Sequence, residues 1–290
     1  MTSEVMATDK RSASLASMVM AGEGTSRAGA LLREWRRRRK LSQLDLALLA
    51  DSSARHLSCL ETGRARPSRA MVLKLATALD IPLRERNTLL VAADHAPAYP
   101  ERDLADTDMS SVRAALEVML AAHEPYPAVV VDRWWNVVSG NQAMSVFLEG
   151  VPPELLLPRP NVFRLTLHPD GLAARLTNLA EIRAYFLDRL LRQVRATGDA
   201  DLRALYEEVR SYPVPAREEA AGSGKTAGSQ PEPSSPIQVP LRVRTPTGEL
   251  SMFTTMATFG APADVTLSEL AIELFYPLDE FTTRLLRDRA

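Results

Sequence analysis

Apolar positions in residues 26–94 recur at helical spacing in five short stretches separated by tight breaks. In "SRAGALLREWRRRRK", Leu31, Leu32 and Trp35 share a face, which leaves the basic residues expected on the other side. Ser42 stands before "QLDLALLA" with Asp45 three residues on, an acidic variant of the capping box, so a second helix is expected over 42–50. A turn at 51–53 leads to a third helix expected over 54–62. Leu57 and Leu60 form its inner face, and Gly63 suits the left-handed turn that stops a helix. "RAMVLKLATALD" behind Pro67-Ser68 and "LRERNTLLVAADHAP" behind Pro82 complete the set.

The period then changes. "APAYPERDLADTD" reads as a hinge and "SSVRAALEVMLAAH" as a helix, and "YPAVVVDRWWNVVSGN" holds two runs of strand-forming residues broken at Asp132-Arg133. Helical text returns in "NQAMSVFLEG", "LAEIRAYFLDRLLRQVRATG" and "DLRALYEEVRSY". "VPLRVRT" and "ELSMFTTMATFG" flank a hairpin turn at Pro246-Thr247-Gly248, and "LSELAIELFYP" and "DEFTTRLLRDR" follow as a strand and a last helix. Strands at 127–138, 238–259 and 269–276 with helices between them predict a small antiparallel sheet covered by helices. Alternation in "ELSMFTTMATF" puts Leu250, Met252, Thr254 and Met256 on one face, and Phe253, Thr255 and Phe259 on the other.

The 290 residues, 46% hydrophobic and 24% charged, suit two globular domains. The expected division is a flexible tail at 1–25, a helical domain at 26–97, and a mixed domain at 98–290 with a mobile Pro/Ala/Gly/Ser-rich loop at 213–236. A single cysteine excludes an internal disulfide framework and fits a reducing cytoplasm. No stretch approaches the roughly 18 apolar residues of a membrane span. The N-terminal segment does not read as a signal peptide, because Glu4 and Asp9 precede its short apolar patch. The net charge of −1 hides an asymmetry: residues 27–69 hold eleven Lys and Arg against four Asp and Glu. Such a basic block is the footprint of a phosphate-binding surface, although "REWRRRRK" alone is equally consistent with a solvated helix face.

A third helix that follows a tight turn is placed to enter a DNA major groove. Its outward positions are expected to be Ala54, Arg55, Ser58, Cys59 and Thr62. Arg55 is the candidate base reader, since a guanidinium donates two hydrogen bonds to guanine. Gln43, Ser53, Arg64 and Arg66 are candidates for phosphate contact. "SQLDLALLADSSARHLSCLETGRARPS" resembles the five-helix, lambda-repressor-like helix-turn-helix domain of the XRE family, and residues 26–94 fit it. The resemblance implies that Gln43 clamps a phosphate and that Ala54, Arg55 and Cys59 face bases. It also implies that Arg36 in helix one pairs with Glu61 at the end of helix three. Ala54 and Cys59 depart from the amide-bearing readers common in that family.

The stretches "HEPYPAVVVDRWWNVVSGNQAM", "HPDG" and "LRVRTPTGELSMFTTMATFGAPADVTLSELAIELFYP" resemble the ligand-binding half of MmyB-like transcription regulators over about residues 100–289. The resemblance implies a PAS-like domain and an apolar, fatty-acid-like ligand. Candidate pocket residues are Trp134, Trp135, Phe147, Phe163, Met252, Phe253, Met256 and Phe259, each equally open to a plain core role. The fold class is therefore α followed by α+β: a five-helix helix-turn-helix domain, then a PAS-like antiparallel sheet domain covered by helices. The function expected is a cytoplasmic, homodimeric transcription regulator that binds a partly palindromic operator in double-stranded DNA and senses a small apolar molecule. The alternative is a helix-turn-helix protein whose second half is a dimerisation or protein-interaction module without a ligand.

Enzymatic readings lack parts. Cys59 and His56, three apart on one helix, have no third group to orient them, and His95, His123 and His168 lie elsewhere. His123, Glu124 and Asp132 have no nucleophile pattern beside them and read as structural, while Asn136 and Asn141 suit either turn chemistry or a pocket. No catalytic group, metal site or cofactor is expected.

Overall fold

The computed structural model describes residues 26–213 and 239–289. The expected N-terminal tail and all but the first residue of the expected loop at 213–236 lie outside the described residues. The chain divides into two compact units at Pro100 and Glu101.

Among the described residues, the first unit contains five helices: α1 (Arg27–Arg38), α2 (Gln43–Leu49), α3 (Ala54–Glu61), α4 (Arg69–Ala78) and α5 (Leu83–Ala92). Serines start the first four, with Ser26, Ser42, Ser53 and Ser68 each accepting a backbone N–H from the first turn. The Ser42 box is reciprocal, because the Asp45 carboxylate accepts the Ser42 N–H at 2.8 Å. Gly63 closes α3 at φ 76°. Leu32, Trp35, Leu46, Leu57, Leu60, Val72, Leu75, Leu89 and Leu90 fill the core.

What locks α3 in place is a charge inside that core. Glu61 has no exposed side-chain surface, and its carboxylate accepts from Arg36 Nε at 2.6 Å, Arg36 Nη2 at 2.9 Å and Gln43 Nε2 at 2.8 Å. Arg33 adds a bond to the Glu61 carbonyl at 2.9 Å. The pairing of Arg36 with Glu61 that the resemblance implied is thus present, with Gln43 as its third member. Burial alone would raise the Glu61 carboxyl, but the hydrogen bonds from Arg36 and Gln43 and the charges of Arg36 and Arg33 outweigh it and hold it below its ordinary value of 4.5. α1 reaches α3 at Gly29, where a Cβ would stand 2.4 Å from the Leu60 carbonyl and 2.8 Å from that of Glu61.

The same contacts correct the expected helix face. Arg33 and Arg36 turn toward Glu61, and Arg39 leaves α1 to bond the Leu79 carbonyl at 2.9 Å and the Asp80 carbonyl at 2.6 Å, closing the C-terminus of α4. Arg38 pairs with Glu34. Trp35 lies beneath the guanidinium groups of Arg38 and Arg39. The run is neither a free basic stripe nor wholly a solvated face, because three of its six bases, Arg33, Arg36 and Arg39, staple α1 to other helices.

The second unit holds a five-stranded antiparallel sheet in the order β2-β1-β5-β4-β3. Its elements are α6 (Ser110–Ala122), β1 (Ala128–Val131), β2 (Val137–Gly140), α7 (Ser145–Leu148), α8 (Val162–Leu167), α9 (Leu179–Thr197), α10 (Ala200–Ser211), β3 (Leu241–Thr245), β4 (Gly248–Thr258), α11 (Val265–Ser268), β5 (Ala271–Pro277) and α12 (Glu280–Arg287). The two runs expected within 127–138 form two short strands, the second reaching Gly140, and the break at Asp132 is made by its carboxylate, which accepts the backbone N–H groups of Trp134 and Asn136 and folds the chain back. The expected strand at 269–276 begins at Ala271, because α11 with its Asp264 cap comes first. One sheet face packs Ala128, Val130 and Ile272 on Leu116 and Leu120 of α6. The other meets α7 to α10 through Val129, Leu241, Val243, Met252 and Phe275.

Two outcomes follow for the first unit. Gly29→Ala, which helix propensity alone would favour by about 1 kcal/mol, destabilises it by about 1–3 kcal/mol because α1 must move off α3; hydrogen exchange of peptides within 27–62 reads this, and unchanged protection contradicts the close approach. A carboxyl held below its ordinary value contributes stability above that value and loses it as pH falls through the folded one. Glu61→Gln therefore costs on the order of 3 kcal/mol at pH 7, and its deficit relative to the wild type closes as the pH is lowered below about 4.5; urea titrations at pH 7 and in acid measure both.

Candidate functional site

The helix-turn-helix is α2, a turn and α3. Asp51 sits in the left-handed region at φ 42°, a conformation costly for a residue with a side chain, and Lys74 holds it by bonds to its carbonyl at 3.2 Å and carboxylate at 3.1 Å. Ser53 spends its oxygen on the cap of α3, accepting the His56 N–H at 3.1 Å, and keeps its hydroxyl proton to donate. Gln43 is oriented by Glu61, so its carboxamide is fixed before any ligand arrives.

On α3, Leu57, Leu60 and Glu61 point inward. Arg55 is exposed and makes no intramolecular bond among the described residues, whereas Ala54, Ser58 and Cys59 are half-buried beside it. His56, absent from the expected set, is also exposed; its place next to Arg55 on a helix whose inner face is Leu57 and Leu60 was a signal for it. Thr62, expected to face outward, bonds back to the Ser58 carbonyl at 2.7 Å and caps the helix. Beyond it, Arg64 is exposed, and Arg66 faces Asp94 across 3.6 Å with both side chains mostly in solvent, a pair too exposed to hold it.

The second unit encloses an apolar cavity between the sheet and α7, α8 and α9. Its unfilled volume, open mouth included, is about 740 Å³, and it forms a slot lined by side chains of the sheet and of these helices. Of the eight residues expected in a pocket, Phe147 alone lines it. Trp135 is fixed elsewhere: it takes a left-handed turn at φ 67°, donates from Nε1 to Gln193 at 2.8 Å, meets the Phe163 ring edge-on and carries the Arg189 guanidinium 4.1 Å from its ring centre. Trp134 lies on the same turn under Arg133. Phe163 and Met252 belong to the core cluster of this unit, and Met256 packs at its edge. Phe253 stacks on Tyr276, and Phe259 belongs to the cluster around α6. The alternation along β4 holds, but facing the helical side does not by itself bring a side chain to the slot.

Sequence reasoning missed the group that distinguishes this slot. Glu273, 4% exposed, lies on the central strand β5 opposite Val129 and Met256 and faces the cavity beside Thr254 and Tyr185. Burial pushes its carboxyl above the ordinary 4.5, and the Arg189 charge and a hydrogen bond from Thr254 offset this only in part. The signal was an isolated acid within the apolar strand "AIELFYP".

The remaining polar residues build turns. His123 Nε2 lies 2.8 Å from the Phe275 carbonyl, Glu124 accepts the Gln142 N–H, and Asn141 bonds Ala128 and Tyr126 of the neighbouring backbone. Asn136 joins Asp132 and Asn161. His95 Nε2 lies 3.0 Å from the Pro67 carbonyl, and His168 accepts the Asp170 N–H. Among the described residues no group of three or more His, Cys, Asp or Glu is placed to hold a metal ion, and no helix is long and apolar enough to cross a membrane.

Comparison with known proteins places both units. Residues 112–288 match the MmyB-like transcription regulator ligand binding domain, and residues 32–86 match a helix-turn-helix family. The uncharacterized HTH-type transcriptional regulator RghRB of Bacillus subtilis (strain 168) is 35% identical over 103 residues, which are 35% of this chain and 66% of that relative, just under two thirds of its length. Among solved structures, the restriction-modification controller protein C.AhdI from Aeromonas hydrophila is 41% identical over 21% of this chain and 92% of its own, with a TM-score of 0.20. An RNA-binding Light-Oxygen-Voltage receptor is 13% identical over 99% of this chain and 66% of its own, with a TM-score of 0.23. With TM-scores this low, the fold rests on the architecture of the chain itself. The chain belongs to the MmyB-like transcription regulators, a family of regulators and not an enzyme class, with an XRE-type helix-turn-helix N-terminal to its ligand-binding domain.

Proposed function

We propose that the chain is a sequence-specific, ligand-responsive DNA-binding regulator acting in the cytoplasm as a homodimer. The observation that carries this reading is Arg55: an exposed guanidinium without an intramolecular partner among the described residues, on a helix fixed from behind by Leu57, Leu60 and Glu61. A guanidinium presented from a rigid helix can donate twice to guanine O6 and N7. Gln43, Ser53, Arg64 and Arg66 contact phosphates and set the register, while Ala54, Ser58 and Cys59 supply close van der Waals contact beside Arg55. Two copies read a partly palindromic operator with half-sites about 34–36 Å apart.

The slot supports the second half of the reading. Its walls suit a slim apolar molecule of fatty-acid-like width, bound by burial of its chain. Such a ligand regulates only by binding one arrangement of the sensor more tightly than another.

Arg55→Ala lowers affinity for the cognate operator by about 1–3 kcal/mol and relaxes one base position. Arg64→Ala weakens binding to all sequences alike and reduces the salt slope by about one. Gel-shift titrations against an operator library at several salt concentrations separate the two effects. Unchanged affinity and base preference in Arg55→Ala would remove α3 as the reader.

A further inference from the structure

We propose that the slot selects, among apolar molecules, one whose head group is a primary amine paired with Glu273. The proposal rests on the ligand-sensor reading and narrows it to a class of ligand.

Among the described residues the lining is apolar except for Thr166, Tyr185, Thr254 and Glu273, and it includes no Lys or Arg. A ligand carboxylate would enter beside a second carboxyl group with no cation among the described lining residues to receive it. The nearest help, Arg189, stacks on Trp135 and makes no direct ion pair with Glu273 among the described residues. An isolated buried charge is costly, whereas a buried pair with its remaining hydrogen bonds satisfied is tolerated. An ammonium group supplies the missing partner, and Thr254 already donates to the carboxyl from one side. The pairing of β5 with both β1 and β4 fixes the backbone at Glu273, so its carboxyl is preorganised. The apolar lining around Glu273 suits an alkyl chain behind the head group.

The test is isothermal titration of the full chain with octylamine, 1-octanol and octanoic acid, in the wild type and in Glu273→Gln, a near-isosteric change whose folding is checked by thermal unfolding. In the wild type the amine binds about tenfold or more tighter than the acid. In Glu273→Gln the amine loses about tenfold or more while the alcohol stays within about threefold. If the acid or the alcohol equals the amine in the wild type, a ranking that does not depend on the variant, amine selection is overturned and the sensor reading stands. If the amine keeps its affinity in a folded Glu273→Gln, the pairing is overturned in the same way. If none of the three binds the wild type, the sensor reading falls and takes this proposal with it.

Discussion

The buried carboxylate of Glu61 is the constraint on which the DNA-facing half of the molecule depends. It stands at the last turn of α3, receives Arg36 from α1 and Gln43 from α2, and so ties three helices to one atom group. A charge with no exposed surface persists only when its lone pairs are taken, and here each oxygen has a donor within 2.9 Å. Apolar packing by Leu57 and Leu60 would leave α3 free to rotate slightly about its axis, since hydrophobic contact is non-directional. Bidentate geometry from Arg36 removes that freedom. Gln43, on the first turn of α2, is thereby a strut of the core.

In the other unit the sheet is asymmetric in what it buries. The face under α6 is closed by an apolar cluster that is aliphatic apart from Phe259. The face under α7 to α9 is not, because the helices there stand off enough to leave the slot, and the one acid of β5 turns into it. A plain core would fill that position with Leu or Val. Retaining a carboxyl whose burial pushes its proton affinity up lowers the stability of the empty domain at neutral pH, since the ionised form is poorly solvated there. Residues that break a local rule in this way are where function is expected to reside.

Helix boundaries in the first unit were legible because they carry local chemistry: serine caps, the Ser42 and Asp45 box, Gly63. Alternation along β3 and β4 was legible for the same reason, as Leu241 and Val243 are buried while Arg242 and Arg244 are not. What periodicity could not reach was the use of long polar side chains. Arg33 and Arg36 lie on the charged arc of α1 by spacing, yet they extend inward to Glu61. The pocket was hard to read for a different reason. Aromatic residues were the natural guess, but Trp135 and Phe163 satisfy each other and the core, and the slot is bounded by residues such as Ile182, Val129 and Thr254 that look ordinary in sequence.

Counting charges in the sequence therefore overstates the field that DNA would meet. Of the eleven bases in residues 27–69, Arg36 is neutralised by Glu61 and Arg38 by Glu34, and Arg39 is turned onto the end of α4. Paired charges contribute little to counterion release, which counts phosphates neutralised and not arginines present. Arg55 and Arg64, separated in sequence from the run that first suggested a basic surface, keep their full charge for a ligand. The division follows from geometry: much of the densest basic segment of the chain is spent on holding the domain together, and the sparse arginines Arg55 and Arg64 on and after α3 remain exposed.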